Sequence, residues 1–260
     1  MRKYIPNLLT CANLVFGCYA CILALDGNYF GAMIAIVIAA GFDFADGFAA
    51  RLLNAFSPIG KDLDSLADIV SFGVAPGMIL FDFLDRTQKM VEWSDPIVGK
   101  IFLFAAFVIP AFSALRLAMF NNDNRQTSSF IGLPVPAHAL LWASLIYVLS
   151  FSAKGIAISG MIPQIISFRL PDILPIYMLL FVSCMSIGSS LLLVSKLPMF
   201  SMKFKSPAWK SNELRYTLLI AAVLLVVCFG FFGITLTILF YVLTNFYNLK
   251  LKIENERRVA

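Results

Sequence analysis

Apolar residues run along this chain in blocks of about 20, the length a helix needs to cross the hydrocarbon of a bilayer. Such blocks occupy 5–25, 29–53, 63–84, 101–120, 134–151 and 173–194. A longer run, 216–247, exceeds one upright helix. Gly230-Phe-Phe-Gly233 at its middle predicts two short spans joined by a tight turn. The pattern predicts an all-α, polytopic membrane protein of about eight helices. It reads as a single membrane domain over 1–260 that ends in a helix pair at 216–248. The segment 152–172 holds Lys154, Gly155, Gly160, Pro163 and Pro171 around a short apolar core, and reads equally as an outer loop or an interfacial helix.

Composition strengthens this reading. Hydrophobic residues make up 60% of the 260 and charged ones 13%, with a mean hydropathy of +0.86. A soluble domain carries about 25% charged residues, so a soluble or disordered chain and a secreted disulfide scaffold are excluded. The net charge of +5 is unevenly placed. With the N-terminus inside, the outer segments hold only Arg86, Lys89, Lys100, Lys154 and Arg169 of the 20 Lys and Arg. That bias predicts cytoplasmic termini, in a cell inner membrane or its equivalent. It also predicts that the basic excess meets anionic membrane lipids rather than nucleic acid. The first apolar run has no A-x-A-like cleavage site and reads as a span rather than a signal peptide. Cys11, Cys18, Cys21, Cys184 and Cys228 all fall in apolar stretches and read as small packing residues, the CxxC of Cys18 and Cys21 included.

Carboxylates inside spans are costly and mark function. Five of the eleven Asp (Asp43, Asp46, Asp62, Asp64 and Asp68) lie within 43–68, offset there only by Arg51 and Lys61. Asp43 and Asp46 are spaced to share one helix face, as are Asp64 and Asp68. Ser57, Pro58 and Gly60 between the pairs can turn the chain back so that they face each other. Such a cluster suits one or two Mg²⁺ or Mn²⁺ ions receiving phosphate oxygens. A carboxylate–arginine network would leave most of the charges unmatched. A divalent-cation transporter would place its site near the midplane, with polar groups leading to the far face. The outer halves of the first four spans offer almost none.

The run 43–68 fits D-x2-D-G-x2-A-R-x8-G-x3-D-x3-D at Asp43, Asp46, Gly47, Ala50, Arg51, Gly60, Asp64 and Asp68. This pattern resembles the CDP-alcohol phosphotransferase family. The resemblance implies a six-helix core and metal-assisted transfer of a phosphate-linked group from a CDP-linked lipid to an alcohol. It implies that Asp43, Asp46, Asp64 and Asp68 hold two metal ions and that Asp68 also acts as general base. It further implies that Asn7, Thr10, Gly47, Ala50, Arg51, Ser57, Gly60 and Lys61 meet CDP-diacylglycerol.

The flanks, Ile5-Pro-Asn7 to Asn13, Ile69-Val-Ser71 to Pro76, Arg116 to Asn121 and Phe130 to Ala137, resemble family members whose acceptor is L-serine. Serine contacts then fall to Asn13, Ser71, Arg116 and Asn121, with phosphatidylserine and CMP as products. Glycerol 3-phosphate or an inositol phosphate is the alternative acceptor, although their second phosphate calls for more cations than Arg51, Lys61, Arg116 and Arg125. A homodimer is implied by the family alone. Asn7 reads as a helix cap or a substrate contact, Arg116 as a snorkelling or a carboxylate-binding residue, and His138 as a plain helix residue. Pro76 and Pro110 read as kinks in their spans.

Overall fold

A computed structural model of the chain describes residues 4–55, 57–91, 93, 95–122, 130–153, 175–199 and 212–259. Every expected span coincides with a helix. These are α1 (Ile5–Leu25), α2 (Tyr29–Leu52), α3 (Pro58–Gln88), α4 (Ile97–Asn122), α5 (Val135–Ala153), α6 (Pro175–Val194), α7 (Glu213–Phe229) and α8 (Phe232–Val259). Six of them are long and apolar enough to cross a membrane, and Val135–Ser150 adds a shorter apolar helix. The chain is an integral membrane protein. Of the segment 152–172, only 152 and 153 are described; they close α5, and the rest lies outside the described residues. A short antiparallel pair, β1 (Phe130–Ile131) with β2 (Pro198–Met199), ties the approach to α5 to the exit from α6.

Helix α3 is the axis of the bundle. In its most apolar stretch 67% of residues are buried, against 28–39% in the other five spans. It starts at Pro58, five residues before the apolar block, because Ser57 caps it through Gly60 N–H (3.0 Å) and Pro58 fits the first turn. Its middle departs from α geometry. Residues Ile69–Val74 form a π-helical turn that closes with Ala75 N–H donating to Val70 O. Pro76 follows directly, and a proline ring crowds the carbonyl four residues back, so a wider turn accommodates it. Pro110, inside α4, meets the same region: a Cβ on Gly77 would lie 3.0 Å from Pro110 Cδ. Glycine lets the two helices close on each other there.

Small residues bring α1 and α2 together. Ala20 and Ala24 on one and Ala32, Ala35 and Ala39 on the other are buried, as suits helices that associate by close packing in lipid. Hydroxyls link further helices: Ser186 Oγ donates to Ala105 O at 2.7 Å, and Ser144 Oγ and Thr235 Oγ1 are hydrogen-bonded to each other at 2.7 Å. Gly230, at φ +58°, turns α7 into α8, where a Cβ on Gly233 would meet Leu225 O.

Two expectations change. Four of the five cysteines are exposed on the bundle's outside rather than filling helix contacts, whereas Cys21 is partly buried and packs against the core as expected. The far end of α3 is also more polar than expected. Buried Asp82 accepts from Tyr29 Oη (2.8 Å) and Arg86 Nε (2.6 Å), while Arg86 also donates to Leu25 O (3.2 Å) in the α1–α2 turn. The i,i+4 pairing of Asp82 with Arg86 closes this network on itself, so it pins three helices.

Replacing Asp82 by Ala leaves the Tyr29 hydroxyl and Arg86 without their acceptor. Loss of one such buried partner costs about 1–3 kcal/mol. The purified variant is expected to melt several degrees below wild type in detergent, with its turnover per folded molecule unchanged.

Candidate functional site

The acidic motif sits where the end of α2 meets the start of α3. Asp43 and Asp46 lie one turn apart on α2, and Asp64 and Asp68 one turn apart on α3. One carboxylate oxygen from each of Asp43, Asp64 and Asp68 lies within 4.8 Å of the other two. Asp46 stands outside this group, and Thr10 Oγ1 donates to its Oδ2 at 2.5 Å. Asp62 is exposed and is not one of this group.

Neutral donors, not cations, hold Asp46 and Asp68. Asn13 Nδ2 donates to Asp68 Oδ1 at 3.1 Å. The ion pairs among the described residues are Arg86–Asp82 and Lys89–Asp85, both at the opposite end of α3. Asp64 Oδ1 is buried without a hydrogen-bond partner among the described residues. Oxygens around an octahedral Mg²⁺ at about 2.1 Å stand roughly 3–4 Å apart, so three converging carboxylates and an unpartnered oxygen fit a divalent ion.

The expected nucleotide contacts line the same end of the bundle. Arg51 is exposed on the last turn of α2, with its guanidinium beside Gly47, where a Cβ would lie 3.8 Å from it. Ala50 is half-buried between them in sequence. Asn7 does not cap α1, whose N-cap is Tyr4 without a side-chain bond. Instead, a Cβ on Gly60 would lie 3.2 Å from Asn7 Oδ1, so the two helix starts abut. Ser57 caps α3 and is itself exposed. Lys61 Nζ reaches Asn121 O at 3.3 Å, and Asn121 Nδ2 donates to Ser65 Oγ at 2.8 Å, which fixes the end of α4 to the start of α3.

Arg116 is 4% exposed, with its guanidinium carbon 5.6 Å from the Phe120 ring centroid. Burial removes the snorkelling reading. Ser71 is fully buried, and its hydroxyl donates to Asn13 O at 2.9 Å. His138 is buried away from the aspartates, with Nε2 2.9 Å from Ser189 Oγ and accepting from Trp142 Nε1 at 3.1 Å. It links α5 to α6. The role of Thr10 and Asn13 as carboxylate holders was hidden in the sequence. Their partners lie 36 and 55 residues away, and the only local sign was two polar residues on the buried stripe of an apolar helix.

The family described as CDP-alcohol phosphatidyltransferase matches residues 3–166. The chain is 33% identical over 157 residues to a CDP-diacylglycerol–serine O-phosphatidyltransferase of Bacillus subtilis, covering 60% of this chain and 81% of that one. It is 34% identical over 138 residues to a protein of the same name from Helicobacter pylori, covering 52% of this chain and 54% of that one. To an archaetidylserine synthase of Methanothermobacter thermautotrophicus it is 30% identical over 175 residues, covering 65% and 70%. The chain thus spans about half the length of the Helicobacter relative.

Mn²⁺ titrated into the purified protein is expected to raise its melting temperature. Asp43→Asn and Asp64→Asn each remove one charge from the triad and are expected to lose most of that shift while melting normally without metal. An equal Mn²⁺ shift in all three proteins would show that the triad holds no ion.

Proposed function

The chain belongs to the CDP-alcohol phosphatidyltransferase family, and from that premise we propose that it transfers the phosphatidyl group of CDP-diacylglycerol to the hydroxyl of L-serine, giving phosphatidylserine and CMP. The observation that carries this reading is the convergence of Asp43, Asp64 and Asp68 without a protein counter-ion among the described residues. The names of the relatives support serine as the acceptor. So does the modest set of cations at this end of the bundle among the described residues, Arg51, Lys61, already engaged with Asn121, and Arg116, with Arg125 lying outside the described residues. An acceptor with a second phosphate calls for more.

Asp43, Asp46, Asp64 and Asp68 would hold two Mg²⁺ or Mn²⁺ ions, which would supply charge neutralisation at the pyrophosphate and at the departing CMP. Asp68 takes the proton of the serine hydroxyl. The serine oxygen bonds to the phosphorus bearing diacylglycerol, and the bond from that phosphorus to the bridging oxygen breaks. The bridging oxygen leaves with CMP. Arg51 forks onto the pyrophosphate, and Gly47, Ala50 and Gly60 keep side-chain bulk out of its way. Asn7, Ser57 and Lys61 border the nucleotide. Arg116 receives the serine carboxylate, with Asn121 beside it. In this reading the site opens to the cytoplasm, where serine and the cytidine head dissolve, while the acyl chains stay in lipid.

Purified protein given CDP-diacylglycerol and Mg²⁺ or Mn²⁺ is expected to release CMP with serine. It is not expected to do so with glycerol 3-phosphate, inositol or inositol phosphate. Turnover on one of these and none on serine would reassign the acceptor and keep the family chemistry.

Arg116→Lys keeps the charge and loses the two-pronged geometry. It is expected to raise the KM for serine about ten- to a hundredfold, with the KM for CDP-diacylglycerol little changed. Equal rises for both substrates would move Arg116 from the acceptor to the phosphate.

A further inference from the structure

Asn13 is fully buried in α1, on a stripe whose other buried members are Pro6, Thr10, Gly17, Ala20 and Ala24. It is bound to α3 at two points. Its side-chain amide donates to Asp68 Oδ1 at 3.1 Å, and its backbone carbonyl accepts from Ser71 Oγ at 2.9 Å. Between these points the chain changes from α to π geometry, since Asp68 ends the α-helical part and Ser71 sits in the π-helical turn.

The second contact depends on Gly17. A Cβ there would fall 2.3 Å from Ser71 Oγ and 2.8 Å from Ser71 Cα, so only glycine lets α3 come this close. A plain packing role does not account for an amide at this place. Asn13 Oδ1 is buried and without a partner among the described residues, a cost that leucine or methionine would avoid.

We propose that Asn13 is a positioning residue for Asp68. Its amide holds Oδ1 and leaves Oδ2 to the acceptor hydroxyl, and the Gly17–Ser71 contact sets the level at which amide and carboxylate meet. The inference rests on Asp68 being the general base, as above, and is independent of which alcohol is the acceptor.

A double-mutant cycle on the full chain tests it. Asn13→Ala is expected to lower kcat about ten- to a hundredfold, the effect of losing a hydrogen bond to a charged group. The KM for CDP-diacylglycerol and for serine should stay within about threefold, and the Mn²⁺-induced melting shift should persist through Asp43 and Asp64. Asn13→Gln, which keeps the amide, is expected to recover part of kcat. In an Asp68→Asn background the Asn13→Ala effect should vanish, because the residue acts through that carboxylate. Unchanged kcat, a raised KM, a lost Mn²⁺ shift, or full additivity with Asp68→Asn would each overturn the proposal. If Asp68→Asn alone leaves kcat intact, the general-base reading fails instead. Should Asn13→Ala not fold, Ser71→Ala removes the second contact without adding bulk. It is expected to lower kcat about three- to tenfold with both KM values retained and a melting temperature no more than a few degrees lower, and an unchanged kcat there would equally overturn the proposal.

Discussion

Carboxylates brought together at the edge of hydrocarbon repel one another unless something of opposite charge joins them, and the fold is arranged around that constraint. Helix α3 carries both solutions. At one end Asp82 and Asp85 are matched by Arg86 and Lys89 one turn on, and their charge is consumed within the protein. At the other end Asp64 and Asp68 meet Asp43 with donors that carry no charge. A hydroxyl or an amide orients a carboxylate without neutralising it, whereas a guanidinium does both. With Thr10 and Asn13 as the holders, the negative charge of the cluster is left unmatched within the described residues.

The bilayer shapes how the rest is fastened. Lipid tails are as apolar as leucine, so burying a leucine between helices gains little over leaving it in lipid. Orientation falls to close contacts of small residues and to single hydrogen bonds between helices. The alanines of α1 and α2, Ser186 on Ala105 O, and the His138–Ser189–Trp142 group all serve in this way. The one histidine of the chain is a fastener rather than a reagent.

Much of this was legible in the sequence, for reasons that also mark where legibility ends. Apolar blocks map onto helices because a bilayer imposes their length, and Gly230 with Gly233 marked the final turn because the chain needs a positive φ and a close crossing there. The spacing of the aspartates reported their shared helix faces. The early start of α3 at Pro58 lay in polar residues that an apolar window passes over. Arg116 read as a snorkelling or a carboxylate-binding residue, and only the packing of α4 removes the first. The partners of Thr10, Asn13 and Ser71 depend on which helices become neighbours, and spacing within one helix carries no record of that.

The π-helical turn in α3 works as a phase shifter between two registers. An α-helix advances about 100° per residue, and a π turn holds one residue more than an α turn. The two halves of α3 are therefore rotated against each other by about that angle relative to an unbroken helix. One half aims Asp64 and Asp68 at α1 and α2, while the other aims Asp82 at Tyr29, and neither aim constrains the other. A length change within 69–74 thus amounts to a rotation of one functional end against the other rather than a small extension. In evolutionary terms, insertions and deletions should be tolerated in the connections between helices and purged from this stretch, whatever its amino-acid content.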